Sequence, residues 1–204
     1  LSDLKKGDGS YASEKTYSYK VSEVKGNAGD GITYDDKEYT VKVKVSYDQA
    51  NGTMKAELAD KDQKLAFANS YDTETGIDLE GTKSLSGRTL KDGEFTFEVK
   101  DKAGKVVATG SNKSDGSISF NNKLNYKLSD LEKADGSYES EKTYEYTVNE
   151  VIPEGATAEN NYTVNGVTYD SKTVNVKVTV TYNKETGELK AELAKDSEAI
   201  AFQN

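Results

Sequence analysis

The chain repeats itself over a distance too long for a solenoid of short units. Leu1–Tyr19, LSDLKKGDGSYASEKTYSY, returns as Leu128–Tyr146, LSDLEKADGSYESEKTYEY, an offset of 127 residues. Further on, Ile32-Thr33-Tyr34-Asp35 returns as Val167-Thr168-Tyr169-Asp170 at an offset of 135, so the second copy carries an eight-residue insertion around Pro153–Asn161. A period above a hundred residues means whole domains in tandem. Residues 83–126 have no counterpart upstream. We therefore expect 1–71 to be the C-terminal part of a first repeat, 72–76 a linker, and 77–204 a nearly complete second domain. The missing half of the first must come from a longer polypeptide or a neighbouring chain.

Strand periodicity dominates. Thr40–Tyr47 places Val41, Val43, Val45 and Tyr47 on one side, and Asn175–Tyr182 repeats the pattern. Phe95–Val99 and Val106–Thr109 are joined across an Asp101–Gly104 turn. Asn51-Gly52 and Thr186-Gly187 occupy matching hairpin positions. With one proline and frequent glycine turns, the expectation is an all-β chain of immunoglobulin-like sandwich domains in tandem. Leu128–Lys133 reads as one short helical turn.

Composition removes several function classes. With 36 acidic and 27 basic residues, net charge −9 and no basic stripe, binding to nucleic acid or an anionic membrane is not expected. There is no apolar span for membrane insertion and no sorting motif. Cysteine and histidine are both absent, which excludes disulfides, Cys/His zinc sites and histidine triads. Gly7-Asp8-Gly9 and Gly29-Asp30-Gly31 lack the ligand spacing of a calcium loop and read as turns. Asn161-Tyr162-Thr163 fits a glycosylation sequon. The abundant tyrosines fall mostly at inward strand parity, as core packing requires. No phosphate loop or pair of catalytic carboxylates is present, and no metal or cofactor is expected.

Polar residues of three types extend apolar rows. Glu23 follows Tyr17, Tyr19 and Val21, and Glu150 follows Tyr144, Tyr146 and Val148. Asn69 follows Leu65 and Phe67, and Asn204 follows Ile200 and Phe202. Lys83 shares parity with Ile77, Leu79, Gly81 and Leu85. Alternation directs all of them inward. Taken singly, each has a plain explanation: a carboxylate at the rim, a turn asparagine, a snorkelling lysine. Recurrence of the Glu and the Asn in both copies weakens it. If the three meet in the core, burial disfavours the charged forms of amine and acid alike. A neutral amine is a nucleophile, and a protonated carboxyl can polarise a carboxamide and pass protons to departing ammonia. The product is a Lys–Asn amide joining first strand to last.

The run Gly81–Leu90, GTKSLSGRTL, continued by Lys91–Val99, KDGEFTFEV, resembles the opening of a pilin isopeptide-linkage domain, a family of Gram-positive major pilins and repetitive surface adhesins. Tyr144–Val151, Val167–Asp170, the closing Ala201–Asn204 and the first copy's Phe67–Tyr71 extend the likeness over nearly the whole chain. The resemblance implies that Lys83 and Asn204 are the cross-linked pair and Glu150 the catalytic acid. Glu23 and Asn69 are their equivalents in the first copy, whose lysine lies outside the chain. It also implies an extracellular, cell-surface stalk module whose partners are neighbouring repeats or fibre subunits, with single-turnover self-cross-linking in place of enzymatic turnover. Two other readings stay open. A permuted pairing would join Lys83 to Asn69, and an adhesin would bind a host protein or glycan through loops such as Pro153–Asn161.

Overall fold

The computed structural model describes all residues except 28 and 30, so Asp30 of the second acidic glycine loop lies outside the described residues. It divides into two compact units, Leu1–Tyr71 and Asp72–Asn204. The described residues form strands, turns and three single-turn 3-10 segments, with no α-helix.

The first unit holds β1 (Glu14–Ser22), β2 (Ile32–Thr33), β3 (Glu38–Asp48), β4 (Thr53–Leu58) and β5 (Ser70–Tyr71). β1, β3 and β4 form one antiparallel sheet in that order, and β2 pairs with β5. Pairs such as Tyr17–Val43 and Tyr19–Val41 sit opposite one another, the cross-strand packing that β-branched and aromatic residues favour. The turn after β3 is closed by Asp48, whose carboxylate accepts the Ala50 and Asn51 amides, with Gly52 at φ +65°. At the Gly7–Gly9 loop the Asp8 carboxylate accepts the Ser10 amide and hydroxyl, making a side-chain-closed turn. Leu4 is the one fully buried hydrophobic residue described in this unit; the Val41–Tyr47 row is half-buried, and Tyr19 and Leu65 are exposed.

The second unit adds β6 (Glu74–Ile77), β7 (Glu80–Ser84), β8 (Thr96–Asp101), β9 (Val106–Asn112), β10 (Ser117–Phe120), β11 (Leu124–Lys127), β12 (Glu141–Glu150), β13 (Thr163–Val164), β14 (Val167–Thr168), β15 (Thr173–Asn183), β16 (Glu188–Leu193) and β17 (Ala201–Gln203). Eight of them form one sheet in the order β16-β15-β12-β8-β9-β10-β7-β17. β8 and β17 stand four places apart, about 19 Å in a flat sheet at strand spacing. Yet the rings of Phe97 on β8 and Phe202 on β17 are 5.0 Å apart. The sheet therefore bends over and faces itself. Its interior holds Val174, Val176, Val178 and Val180, the alternate positions of β15, with Phe97, Val99, Val148 and Phe202. Each such side chain contributes about 1.5–3 kcal/mol by leaving water.

The smaller β6–β11 sheet lies against β12: Tyr126 and Tyr144 stack with centroids 4.8 Å apart, and the Tyr126 and Tyr146 hydroxyls share a 2.9 Å hydrogen bond. Residues 74–76, expected from the repeat boundaries to be linker, are thus strand in the structure. Glu74, Thr75 and Gly76 pair with Lys127, Tyr126 and Asn125. Polar composition did not signal this, because backbone pairing rather than side-chain burial holds them. The turn expected at Leu128–Lys133 is a 3-10 segment, Leu128–Leu131, burying both leucines.

Candidate functional site

β7, β12 and the residue that follows β17 each bring one polar side chain to the closed face of the second unit. β17 runs parallel to β7, with Phe202 opposite Lys83. The Thr82 amide donates to the Ile200 carbonyl, and the Ser86 amide to that of Asn204. Gly81 permits the approach, since a Cβ there would lie 2.6 Å from the Ile200 side chain. Glu150 is the last residue of β12, opposite Phe97 on β8. The inward parity of Lys83, Glu150 and Asn204 therefore becomes convergence only because the sheet bends over.

One carboxylate bridges the other two groups. Lys83 Nζ donates to Glu150 Oε2 at 2.7 Å, and Asn204 Nδ2 donates to Glu150 Oε1 at 2.8 Å. The side chains of Lys83 and Glu150 have no solvent exposure. Asn204 Oδ1 accepts the Asp170 amide at 2.9 Å, which fixes which end of the carboxamide faces the carboxylate. The Phe95 ring lies 4.5 Å from Lys83 Nζ and the Phe97 ring 5.9 Å. Burial behind these rings holds the Lys83 amine below the ordinary lysine range; the hydrogen bond to Glu150 and its charge oppose that shift without cancelling it. Such an arrangement can deliver an amine, a carboxamide and a proton carrier to one water-free point.

Several supporting residues carried no role in the sequence reading. Buried Asn112 accepts the Phe95 amide and donates to the Lys91 carbonyl, seating Phe95 beside the amine. Tyr169 packs edge-on against the same ring at 5.7 Å. Gly116 accepts the Lys83 amide at 2.7 Å, at φ +88°. Asp170 is the most informative omission. Its Oδ2 accepts the Gln203 amide and its Oδ1 the Lys172 amide. Burial raises the Asp170 pKa, but these two amides and the Lys172 ammonium outweigh it and hold the carboxyl below its usual range. Asp35 recurs in the first copy at the same offset as Asn69, a signal that was available in the sequence.

The first unit repeats this geometry without an amine. Asn69 Nδ2 donates to Glu23 Oε1 at 2.6 Å, and Asn69 Oδ1 accepts the Asp35 amide at 2.9 Å. Asp35 Oδ2 accepts the Ala68 amide at 2.9 Å. Glu23 Oε2, whose counterpart in the second unit accepts Lys83, is buried with no hydrogen-bond partner among the described residues. Lys83 lies on Glu150, not on Glu23, so the permuted pairing of Lys83 with Asn69 is not the arrangement adopted. The reason is register: β7 is held between β10 and β17 of its own unit.

An all-β chain thus brings a buried lysine and glutamate together with a half-buried asparagine inside its second unit. The chain belongs to the family described as the Spy0128-like isopeptide containing domain (FctA), whose profile matches residues 6–72 and 79–204. This is a family of isopeptide-containing pilin modules. No curated protein matches the chain. No helix among the described residues is long and apolar enough to cross a membrane.

Proposed function

We propose that the second unit closes an intramolecular amide between Lys83 and Asn204 with Glu150 as the proton carrier, and that the chain is a structural stalk module of a Gram-positive surface fibre. The observation carrying this reading is the Glu150 carboxyl group bridging a buried lysine amine and an asparagine carboxamide. The neutral Lys83 amine attacks Asn204 Cγ, and a carbon–nitrogen bond forms. A proton passes from the lysine nitrogen to Glu150 Oε2. Glu150 Oε1 delivers a proton to the carboxamide nitrogen, whose bond to Cγ breaks as ammonia leaves. The reaction runs once per domain and turns over no substrate.

Family membership supports a role in pilus or adhesin fibres outside the cell, built from immunoglobulin-like sandwich domains in tandem, with neighbouring repeats or subunits as partners. A covalent strap from β7 to the end of β17 resists tension because a bond must break before those strands separate. Intact mass with peptide mapping tests the chemistry. Loss of one ammonia, mapped to Lys83 and Asn204, is expected; an unaltered mass of the folded chain sinks the cross-link. A second reading, recognition of a host protein or glycan, draws on the insertion after β12, where Asn161, and Tyr162 just beyond it, hold left-handed backbones at φ 54° and 55°. Binding that disappears when 153–161 is shortened is the outcome that would favour it.

A further inference from the structure

Both units hold their acceptor asparagine in the same way, although only one of them has a lysine beside it. Asn204 Oδ1 accepts the Asp170 amide at 2.9 Å, and Asn69 Oδ1 accepts the Asp35 amide at 2.9 Å. In each, the aspartate carboxylate turns back to accept the amide of the residue just before the asparagine, Gln203 at 3.1 Å and Ala68 at 2.9 Å. Its second oxygen accepts the amide two residues on, from Lys172 or Lys37. That lysine's ammonium pairs with the same carboxylate, at 3.2 Å or 3.0 Å. A geometry that is identical with and without the amine is not produced by the amine. It is built by the acceptor half of the fold.

We infer that the Asp170 backbone N–H is the donor that stabilises the oxyanion formed on Asn204 Oδ1 when Lys83 attacks. The Asp170 side chain is the positioning residue that clamps this donor to the last strand. In this geometry Glu150 faces the nitrogens and not the carbonyl oxygen. Its two oxygens are committed to the two nitrogens that exchange the proton, so the carbonyl oxygen needs a donor from elsewhere. The negative charge that develops on Oδ1 is met by a fixed dipole already at 2.9 Å, within the range where such donors act without reorganisation. Loss of one oxyanion donor slows acyl transfer by about 10²–10³-fold. This inference rests on the Lys83–Asn204 condensation proposed above.

The test uses the full chain assembled by semisynthesis in denaturant, where no bond has formed, with the Asp170 amide either intact or replaced by a backbone ester that lacks the N–H. On dilution into buffer, tyrosine fluorescence times folding and intact mass times the loss of ammonia. The expected result is equal folding rates with about a hundredfold slower ammonia loss in the ester chain. Asp170→Ala slows the bond by about tenfold through misplacement of the donor. Asp170→Asn, which keeps an acceptor for the Gln203 amide, restores most of the rate, and Asp35→Ala leaves it unchanged. Ammonia loss at the parental rate in the ester chain overturns the inference, as does slowing that only tracks slower folding. Absence of ammonia loss from the intact-amide chain overturns both this inference and the condensation itself.

Discussion

Lys83 is the residue on which the proposed condensation turns, because that step needs a neutral amine in a site where Glu150 also favours its charge. Burial wins, and the folded pKa falls below the ordinary 10.5. In an unlinked Asn204→Ala chain the unfolded state then binds the lysine proton more tightly than the folded state. Stability is therefore expected to rise as pH increases from the lowered folded value toward 10.5, and to fall as pH decreases. Tyr144, pushed up to about 12 by burial, contributes in the opposite sense once unfolded tyrosines ionise near 10, so the rise is read below about pH 9.5. Urea titrations from pH 7 to 9.5 check it. The linked chain, whose amide does not titrate, provides the flat control, and a flat Asn204→Ala profile would refute the lowered lysine. Lys83→Ala removes the amine from a buried carboxylate as well as the strap. Leaving the buried Glu150 Oε2 without its donor is expected to destabilise the second unit by about 1–3 kcal/mol beyond the cross-link itself. Asn204→Ala, which opens a loop of more than a hundred residues, costs about 4–5 kcal/mol on the chain-entropy account. Calorimetry of the two variants against the linked chain compares them.

Among the elements, the hairpin of β9 and β10 and the strand pair β7–β17 decide whether the amine reaches the acid. Gly116, at φ +88°, leaves 2.8 Å between a hypothetical Cβ and the Lys83 carbonyl oxygen. Gly116→Ala is thus strained at its own backbone and pushes β7 away from β10. Gly81→Ala meets the Ile200 side chain at 2.6 Å and its carbonyl at 3.0 Å, prying β7 from β17. Each is expected to destabilise the unit by about 1–3 kcal/mol. Each should also leave a measurable unlinked fraction by intact mass, whereas Gly7→Ala, with open space around its Cβ and no left-handed backbone, leaves cross-linking complete. A fully linked Gly116→Ala chain of parental stability would contradict the role given to this hairpin. Gly76, opposite Asn125 in the β6–β11 pair, was easy to take for linker. A four-residue strand with Ile77 as its one large apolar side chain is too short to display a period.

At the scale of the molecule, the two units have similar sequences and very different interiors. The valines of β15 are buried, while the matching row of β3 is half-exposed, because the first unit contains no counterpart of β7 to β11 to cover it. Limited proteolysis is expected to cleave within 1–71 first and to leave a resistant fragment beginning near residue 72; simultaneous cleavage of both units would contradict this. Glu23 Oε2 marks where an incoming lysine would sit. A polypeptide with the sequence of residues 72–126, added to the chain, is expected to protect the first unit and to join Asn69 with loss of one ammonia. The same polypeptide carrying Lys83→Ala should protect without joining.

Repeat, strand parity and the recurrence of Glu23/Glu150 and Asn69/Asn204 were legible in the amino-acid order, because alternation assigns a face to each side chain without knowledge of the partner strand. That order determined an all-β chain, inward-directed Lys83, Glu150 and Asn204, and a Glu23 and Asn69 that recur without a counterpart of Lys83. It left open which asparagine Lys83 would meet, since Asn69 is nearer along the chain and parity favours neither. Only the tertiary structure decided that, by bending an eight-stranded sheet until strands four places apart touched. The recurrence of Asp35 as Asp170 was legible too, but the role of Asp170 was not. Its contribution is a backbone amide and a turn, and a backbone N–H is carried by every residue but proline, so its importance arises from where the fold aims it.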